Sequence, residues 1–351
     1  MDFEGRIEKT RQYLDKKNFD CLVVKSSSNI FYLTGLYGAE GFLCIDSKNI
    51  TFFTGGIYYH YAIDKQKELK TRFGVEKIEK NNFYKFIRRF KKPVVLSSEI
   101  SLQGLQGLKQ KTKQNLKVID DFIIRMRAIK EPEEIMKIKK ALAIAKKVME
   151  TVRPLIKPGA SELDIAGEIL YQIRKLGGDK EAFQPIVASG INSSYPHHLP
   201  TRKKIDGNDV VVVDLGVCFG GYNSDITETF FVGRISAEAA RIMGAIKEVH
   251  KKISLKLESN EKPCKMLHQS AVEVFKKHAI EKFFVHGLGH GVGIDVHELP
   301  VLNFSSKETI ENSMVFTVEP GIYLPGKFGI RVEKMYFSAT HTIVSSKNLS
   351  E

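Results

Sequence analysis

Two pairs of acidic residues interrupt apolar, strand-forming sequence in the second half of the chain, and charges in such a setting restrict the fold. The first pair, Asp214 and Asp225, lies in VVVVDLGVCFGGYNSDITETFFVG at 210–233. Gly220-Gly221 marks a turn, which predicts a hairpin with the two aspartates as cross-strand neighbours. Carboxylates so opposed repel each other unless a proton or a cation lies between them. The alternative is that Asp214 ends a buried strand and Asp225 caps a turn.

The second pair, Glu319 and Glu333, flanks another turn-rich segment, EPGIYLPGKFGIRVE at 319–333. Pro325-Gly326 lies at its centre, so the same hairpin geometry is predicted. One buried acid pair is ordinary. Two pairs embedded in apolar strand sequence are difficult to explain as surface charge.

A glycine-rich stretch between these hairpins carries three histidines. It reads HGLGHGVGIDVHELP at 286–300 and contains His286, His290 and His297. Glycine permits close backbone approach and unusual side-chain directions. A lone histidine is more often a core or surface residue, but the four acids make His290 a predicted metal ligand.

The predicted site therefore combines four carboxylates with one imidazole: Asp214, Asp225, His290, Glu319 and Glu333. A single zinc ion usually takes three or four ligands with nitrogen or sulfur prominent. An oxygen-rich set of five suits two divalent ions, with manganese or cobalt the expected metals. Two such ions ~3.5–4 Å apart can hold a hydroxide and polarise a carbonyl, so such a site can catalyse hydrolysis.

The rest of the chain predicts two domains, an α/β domain over residues 1–122 and a catalytic domain over 123–351. In the first, a helix is predicted at 3–17 and strands at 21–24, 41–45, 50–54 and 93–96, with a turn at Ser26–Asn29. In the second, helices are predicted to begin at Pro132 and Ser161 and to span 236–258 and 264–279.

Composition excludes several classes of protein. The net charge of +13 comes mainly from lysine pairs scattered over the chain, so we expect solvated helix faces and no nucleic-acid partner. No apolar run approaches the ~20 residues of a membrane span, so no membrane partner is expected. The charged N-terminus predicts no signal peptide. Four scattered cysteines indicate neither a disulfide framework nor a zinc–thiolate site, and we expect a cytoplasmic location.

The acids and histidine occur in an order that resembles the pita-bread metallopeptidases, which include methionine aminopeptidase, aminopeptidase P and Xaa-Pro dipeptidase. Three further segments are similar to the proline-specific branch: IVASGINSSYPHHLPT at 186–201, VEPGIYLPG at 318–326 and MRAIKEPEEI at 126–135. SSSNIFYLTG at 26–35 resembles the creatinase-type N-terminal domain of that branch. The resemblance implies an α/β N-terminal domain followed by an α+β pita-bread (creatinase/aminopeptidase) catalytic domain.

The resemblance also implies roles for the five acids and histidine. Asp214 would chelate one metal ion, Asp225 and Glu333 would bridge both ions, and His290 and Glu319 would bind the second. Glu319 would also orient the hydroxide or move its proton.

Five further residues receive roles by the same resemblance. His297 would stabilise the tetrahedral intermediate, and His197 would lie beside the scissile bond. Arg331 would support the metal ligands. His198 and His286 match motif positions and would bind substrate.

One part of the family pattern differs in this chain. Glu228 stands where the family often has arginine, in Asp225-Ile226-Thr227-Glu228-Thr229, and Lys334 stands where an acid or amide often follows the last glutamate. These positions have odd offsets from the metal ligands on their strands, so they should point away from the metals. We expect Glu228 and Lys334 to form an ion pair of reversed polarity.

The predicted function is a dinuclear metallo-exopeptidase that removes the residue before a proline, acting on small peptides as a homodimer. The sequence does not separate aminopeptidase P from dipeptidase. Methionine aminopeptidase, which shares all five ligands, is the alternative, although the extra N-terminal domain and Pro196-His197-His198 argue against it. A non-enzymatic binding protein on a peptidase scaffold is disfavoured because such relatives typically lose ligands.

Overall fold

The computed structural model describes residues 1–69, 72–259, 262–338 and 343–345, and residue contacts divide the chain into two units, Met1–Met126 and Arg127–Glu351. Within the described ranges, every helix is too short or too polar to cross a membrane.

Unit 1 contains a mixed sheet. Its strands are β1 (Cys21–Val24), β2 (Gly41–Asp46), β3 (Ile50–Thr54), β4 (Gly74–Lys77), β5 (Pro93–Leu96) and β6 (Lys117–Ile119). Its helices are α1 (Phe3–Lys16), α2 (Ser27–Thr34), α3 (Gly56–Glu68), α4 (Asn82–Ile87), α5 (Leu102–Thr112) and the start of α6 (Phe122–Ala128). In the described part of the unit the strand order is β4-β3-β2-β1-β5-β6, and β1 pairs antiparallel with β2 and parallel with β5.

The serine cluster of unit 1 begins a helix, so the turn predicted there is wrong. Ser26 is the N-cap of α2, and its side chain accepts the backbone N–H of Asn29 at 3.4 Å. The helix ends at Gly35, whose φ of 80° is left-handed and suits glycine. Serine and asparagine favour both turns and helix N-caps, so only the apolar residues that follow distinguish the two.

Unit 2 carries longer helices and several small sheets. Its helices are α7 (Pro132–Val152), α8 (Glu162–Lys175), α9 (Ala237–Glu258) and α10 (Cys264–Lys277). Its strands are β7 (Lys180–Glu181), β8 (Ile186–Ser189), β9 (Val210–Leu215), β10 (Val217–Phe219), β11 (Tyr222–Asn223), β12 (Ile226–Phe231), β13 (Gly289–Gly291), β14 (Glu298–Leu302), β15 (Val315–Val318), β16 (Gly321–Leu324), β17 (Phe328–Arg331), β18 (Lys334–Ser338) and β19 (Ile343–Ser345).

The strands of unit 2 form four groups within the part of the chain that the structure describes. The orders are β12-β9-β8, β11-β10-β7, β14-β13-β15-β18-β19 and β16-β17. Helices α9 and α10 cover this framework with an apolar face whose buried members include Ile246, Leu267 and Phe275, packed in one cluster with Phe316 and Ile322. This core fixes the strands that carry the predicted ligands.

The predicted helix starts of unit 2 are confirmed. Pro132 opens α7, where the side chains and backbones of Glu131 and Glu134 form a reciprocal capping box. Ser161 caps α8 in the same way, because its hydroxyl accepts from the backbone N–H of Asp164 and the Asp164 carboxylate accepts from the backbone N–H of Ser161.

The four cysteines are buried thiols, and they are shared equally between the units. Cys21 and Cys44 lie in the sheet of unit 1, whereas Cys218 and Cys264 lie in unit 2.

The hairpin around Gly220-Gly221 forms, but the predicted register is wrong. Both glycines have positive φ, 58° and 81°, which a two-residue turn of this kind requires. The turn is therefore centred between them, and Asp214 on β9 pairs with Thr227 on β12 instead of with Asp225. Asp225 lies two residues from that position, so the two aspartates are diagonal neighbours.

Candidate metal centre

The predicted ligands lie within strands of unit 2 or directly beside their ends. Asp214 is on β9, Asp225 directly precedes β12, and His290 is the middle residue of β13. Glu319 directly follows β15, and Glu333 lies between β17 and β18. The hairpin of β16 and β17 is paired in the predicted register, with Gly326 in its turn.

Three of these residues form a compact set of potential ligand atoms. One atom each from Asp225, His290 and Glu333 lies within 4.8 Å of the other two. The His290 Nε2 atom is 3.7 Å from an Asp225 carboxylate oxygen and 3.5 Å from a Glu319 carboxylate oxygen. Both distances exceed a normal N–H···O hydrogen bond, so these groups do not satisfy one another directly.

Buried oxygens without donors indicate that a cation fits here. Asp214 Oδ1, Asp225 Oδ1 and Glu333 Oε1 are buried and have no hydrogen-bond partner among the described residues. Buried polar atoms are nearly always satisfied by protein, water or an ion. Three unsatisfied carboxylate oxygens beside a neutral imidazole are a donor set suited to a divalent metal.

The electrostatics of the cluster lead to the same conclusion. Burial raises the pKa of Asp225 well above its usual range, and the carboxylates of Glu333 and Asp214 raise it further. Burial and the charge of Glu333 also raise the pKa of Glu319, while burial and the charge of Asp214 raise the pKa of Glu333 to about 7. The folded chain thus concentrates negative charge that a metal cation can neutralise.

The strand around His290 directs its ring towards the acids. Burial lowers the pKa of His290 to about 4, so the ring is neutral at pH 7 and able to bind a metal. Its Nδ1 lies 3.1 Å from the Gly291 carbonyl oxygen, where an N–H can be donated, which leaves Nε2 facing Asp225 and Glu319. The neighbours of His290 must be glycine: a Cβ on Gly289 would lie 2.0 Å from the Thr317 carbonyl oxygen.

We predict that Gly289→Ala destabilises unit 2. The new methyl group would collide with backbone, which cannot move without separating β13 from β15, so the loss should reach or exceed the ~1–3 kcal/mol typical of an overpacked core. Gly244→Ala is the matched control: its Cβ would meet nothing within 4 Å in the middle of α9, and alanine should stabilise the helix by ~0.5–1 kcal/mol. Urea denaturation midpoints compare the two; equal midpoints would contradict the close contact.

Arg331 contacts one predicted ligand directly and a second one through Thr227. Its guanidinium donates to Asp214 Oδ2 at 2.7 Å, to the Tyr323 hydroxyl at 2.6 Å and to Thr227 Oγ1 at 3.2 Å. The Thr227 hydroxyl in turn donates to Glu333 Oε2 at 2.9 Å. One buried cation therefore orients two predicted ligands. Sequence reasoning missed Thr227, although its position two residues after Asp225 places both on one strand face.

The two histidines predicted to act on substrate lie near this cluster. The His297 ring packs edge-on against the His290 ring, with 4.2 Å between the centroids. His197 is exposed. Burial is the main cause of the lowered pKa values of His286 and His297, and an electrostatic interaction with His197 adds to both, so His197 lies close to both rings.

The two histidines predicted to bind substrate already have protein partners. His198 Nε2 lies 2.9 Å from a Glu162 carboxylate oxygen. His286 Nδ1 lies 2.7 Å from the Gly287 carbonyl oxygen, and its Nε2 lies 3.1 Å from the Tyr323 hydroxyl. Substrate binding by either residue stays a prediction.

A second buried charge cluster fixes the loop that carries His297. The Glu298 carboxylate receives the guanidinium of Arg127, the Lys130 ammonium at 3.2 Å and the backbone N–H of Asp295 at 2.9 Å. The side chains of Arg127, Lys130 and Glu298 are 4%, 1% and 2% exposed, so these are fully desolvated ion pairs. The motif MRAIKEPEEI contains both cations, but the sequence alone did not reveal their partner.

Glu228 has a different partner from the expected Lys334. Among the described residues, its carboxylate pairs with the Arg153 guanidinium at 2.8 Å. Both side chains are well exposed, so the pair contributes only ~0–1 kcal/mol.

Comparison with known proteins matches each part of the chain to a protein family. The model of metallopeptidase family M24 matches residues 136–338, and that of the creatinase/prolidase N-terminal domain matches residues 6–129. The Xaa-Pro dipeptidase of Pyrococcus horikoshii is 32% identical over 99% of this chain and 95% of its own length.

Solved structures resemble this chain over nearly its whole length. The crystal structure of the prolidase from Pyrococcus horikoshii superposes with a TM-score of 0.91 at 32% identity, covering 98% of each chain. The X-Pro aminopeptidase from Thermotoga maritima superposes with a TM-score of 0.84 at 28% identity, again covering 98% of each chain. The predicted fold class is confirmed. The chain is a hydrolase, and its family implies divalent metal ions. It belongs to metallopeptidase family M24.

Proposed function

We propose that this protein is a metal-dependent exopeptidase that hydrolyses the peptide bond between an N-terminal residue and proline. The observation that carries the proposal is the cluster of three buried carboxylate oxygens without donors beside the neutral ring of His290. The similarity to Xaa-Pro dipeptidase and X-Pro aminopeptidase over nearly the full length supports the substrate class.

The metal assignment rests on the chemistry of the donor set. Asp214, Asp225, His290, Glu319 and Glu333 would together hold two divalent ions. The oxygen-rich ligands favour manganese or cobalt. When bound, two such ions supply an activated water and polarise the scissile carbonyl.

The remaining steps belong to side chains of the protein. Glu319 would take the proton of the attacking water and return it to the leaving proline nitrogen. His297 would donate a hydrogen bond to the oxyanion that develops on the carbonyl. His197 would bind the substrate next to the scissile bond, while Arg331 keeps Asp214 and, through Thr227, Glu333 in position.

We place the protein in the cytoplasm as a homodimer acting on small peptides with proline in the second position. Relatives of both kinds, dipeptidase and aminopeptidase, resemble this chain, and an assay of a dipeptide beside a tripeptide distinguishes them by whether the proline must carry a free carboxylate.

The test is an assay of three substrates with added Mn²⁺ or Co²⁺: an Xaa-Pro dipeptide, an Xaa-Pro-Yaa tripeptide and Met-Ala-Ser. We expect cleavage of at least one proline peptide, loss of activity after exhaustive chelation and recovery on adding metal. Cleavage of Met-Ala-Ser alone would establish the methionine aminopeptidase alternative. If metal binds but no peptide is cleaved, the protein is a binding protein on this scaffold and the proposal is wrong.

A further inference from the structure

The most heavily hydrogen-bonded side chain near the centre is one that the proposed mechanism does not use. Glu162 is fully buried at the first position of α8. Its carboxylate accepts six hydrogen bonds from four residues of one loop: Ser189 N and Oγ, Asn192 Nδ2, His198 Nε2, and Thr201 N and Oγ1. All six distances lie between 2.7 and 3.0 Å.

We propose that Glu162 is a positioning residue that fixes the loop 189–201 and thereby holds His197 at the metal centre. This inference rests on the proposed function, since it assigns His197 a catalytic purpose. From the sequence alone, Glu162 resembles an ordinary acidic residue in the first turn of a helix, where the helix dipole favours negative charge.

The pattern of donors shows why one carboxylate can hold the whole loop. Glu162 Oε1 binds Ser189 and Asn192 at the start of the loop, while Oε2 binds His198 and Thr201 at its end. Both ends are therefore fastened to one side chain, which leaves His197 in the short span between fixed points. The pKa of Glu162 falls to about 2, because the donors outweigh the effect of burial.

The opposite side of the loop contacts the strand that leads to the metal ligands. The Pro196 carbonyl oxygen accepts from the Arg331 guanidinium at 3.2 Å, and the Ser193 hydroxyl accepts from the Gly329 N–H at 2.8 Å. Glu162 and Arg331 thus hold the loop from two sides, and His197 lies one residue from each contact. A loosened Glu162 attachment would displace His197 without removing any metal ligand.

Glutamine at position 162 tests this arrangement with little change in volume. Its amide keeps one oxygen but replaces the other with an NH₂ group, which would face N–H and O–H donors on one side of the site. Glu168→Gln is the matched control: Glu168 lies on the same helix, and its carboxylate accepts a hydrogen bond from the side-chain amide of Gln172 on that helix. The control should leave kcat unchanged.

The experiment is a double-mutant cycle of Glu162→Gln and His197→Ala, with kcat and bound metal measured for each protein. We expect Glu162→Gln to lower kcat by about 10–100-fold, the cost of misplacing a reacting group by ~1 Å, with metal content unchanged. In the His197→Ala background the same change should have less than about a twofold effect. An equal loss in both backgrounds, or no loss in either, overturns the proposal.

Hydrogen exchange supplies a readout that does not depend on activity. Backbone amides of 190–200 should exchange faster in Glu162→Gln than in Glu168→Gln, and unchanged protection would overturn the proposal. If Glu162→Gln does not fold, His198→Ala removes one of the six donors and takes its place in both measurements. If the parent protein cleaves no proline peptide, the proposed function fails, whereas the exchange data still decide whether Glu162 holds the loop.

Discussion

Asp225→Asn will remove metal-dependent activity while it stabilises the metal-free protein. The substitution deletes an ionisable carboxyl from the buried cluster, where burial and then the carboxylates of Glu333, Asp214 and Glu319 raise the pKa of Asp225. Metal binding should suffer more than the ~10–100-fold loss known for residues that merely support ligands. Without metal, however, the removed repulsion should raise the melting temperature.

Thermal unfolding with and without Mn²⁺, together with bound-metal analysis, measures both effects. A ligand at 100 times its dissociation constant stabilises the parent by ~2.7 kcal/mol, and the variant should lose that shift. Asp206→Asn, an exposed acid on the surface of unit 2, is the control and should resemble the parent. A variant that retains the metal-induced shift would show that Asp225 is not a ligand.

The same cluster gives the metal-free parent a distinctive pH dependence. Glu333 has its pKa raised from 4.5 to about 7 in the folded state, so the folded protein binds more protons than the unfolded chain in that interval. The contribution of Glu333 to the free energy of unfolding is therefore most favourable below pH 4.5 and becomes less favourable as the pH rises towards 7. Bound metal should abolish this trend.

Glu298→Gln will have the largest effect on stability of any single charge removal outside the metal centre. It leaves Lys130, which is 1% exposed, without a carboxylate partner among the described residues, and it takes from Arg127 the buried member of its ion pairs with Glu298 and the half-exposed Asp295. Breaking a buried ion pair from one side typically costs ~3–5 kcal/mol. Because Glu298 adjoins His297, the variant should also lower kcat.

Glu150→Gln provides the matched comparison for Glu298→Gln. Glu150 pairs with Lys147 at 3.2 Å, and both side chains are 63% exposed. Its loss should change the free energy of unfolding by no more than ~1 kcal/mol. Similar denaturation midpoints for the two variants would mean that the buried cluster contributes nothing beyond a surface pair.

The sequence predicted the local elements well because their signals are local. Proline at 132, serine at 161 and the glycine pair at 220–221 act through their own backbone preferences, and all three mark the expected boundaries. The predicted register of Asp214 and Asp225 was wrong, because opposing these two aspartates places the centre of the turn one residue before the Gly220-Gly221 pair that forms it.

Contacts between distant segments could not be predicted in the same way. Nothing near Glu162 or Glu298 in the sequence indicates that these acids are buried, since each resembles a common surface glutamate at the start of a helix or strand. Their partners lie 27–39 residues away for Glu162 and up to 171 residues away for Glu298. Only the folded chain brings those donors together.

Because each unit contains two buried cysteines, the labelling of these thiols reports the unfolding of each unit. Cys21 and Cys44 are protected by the sheet of unit 1, and Cys218 and Cys264 by the packing of unit 2. A thiol reagent can reach each pair only when its unit opens, so peptide-resolved labelling would time the opening of the two units separately in a single sample. No dye, tag or engineered residue would be needed.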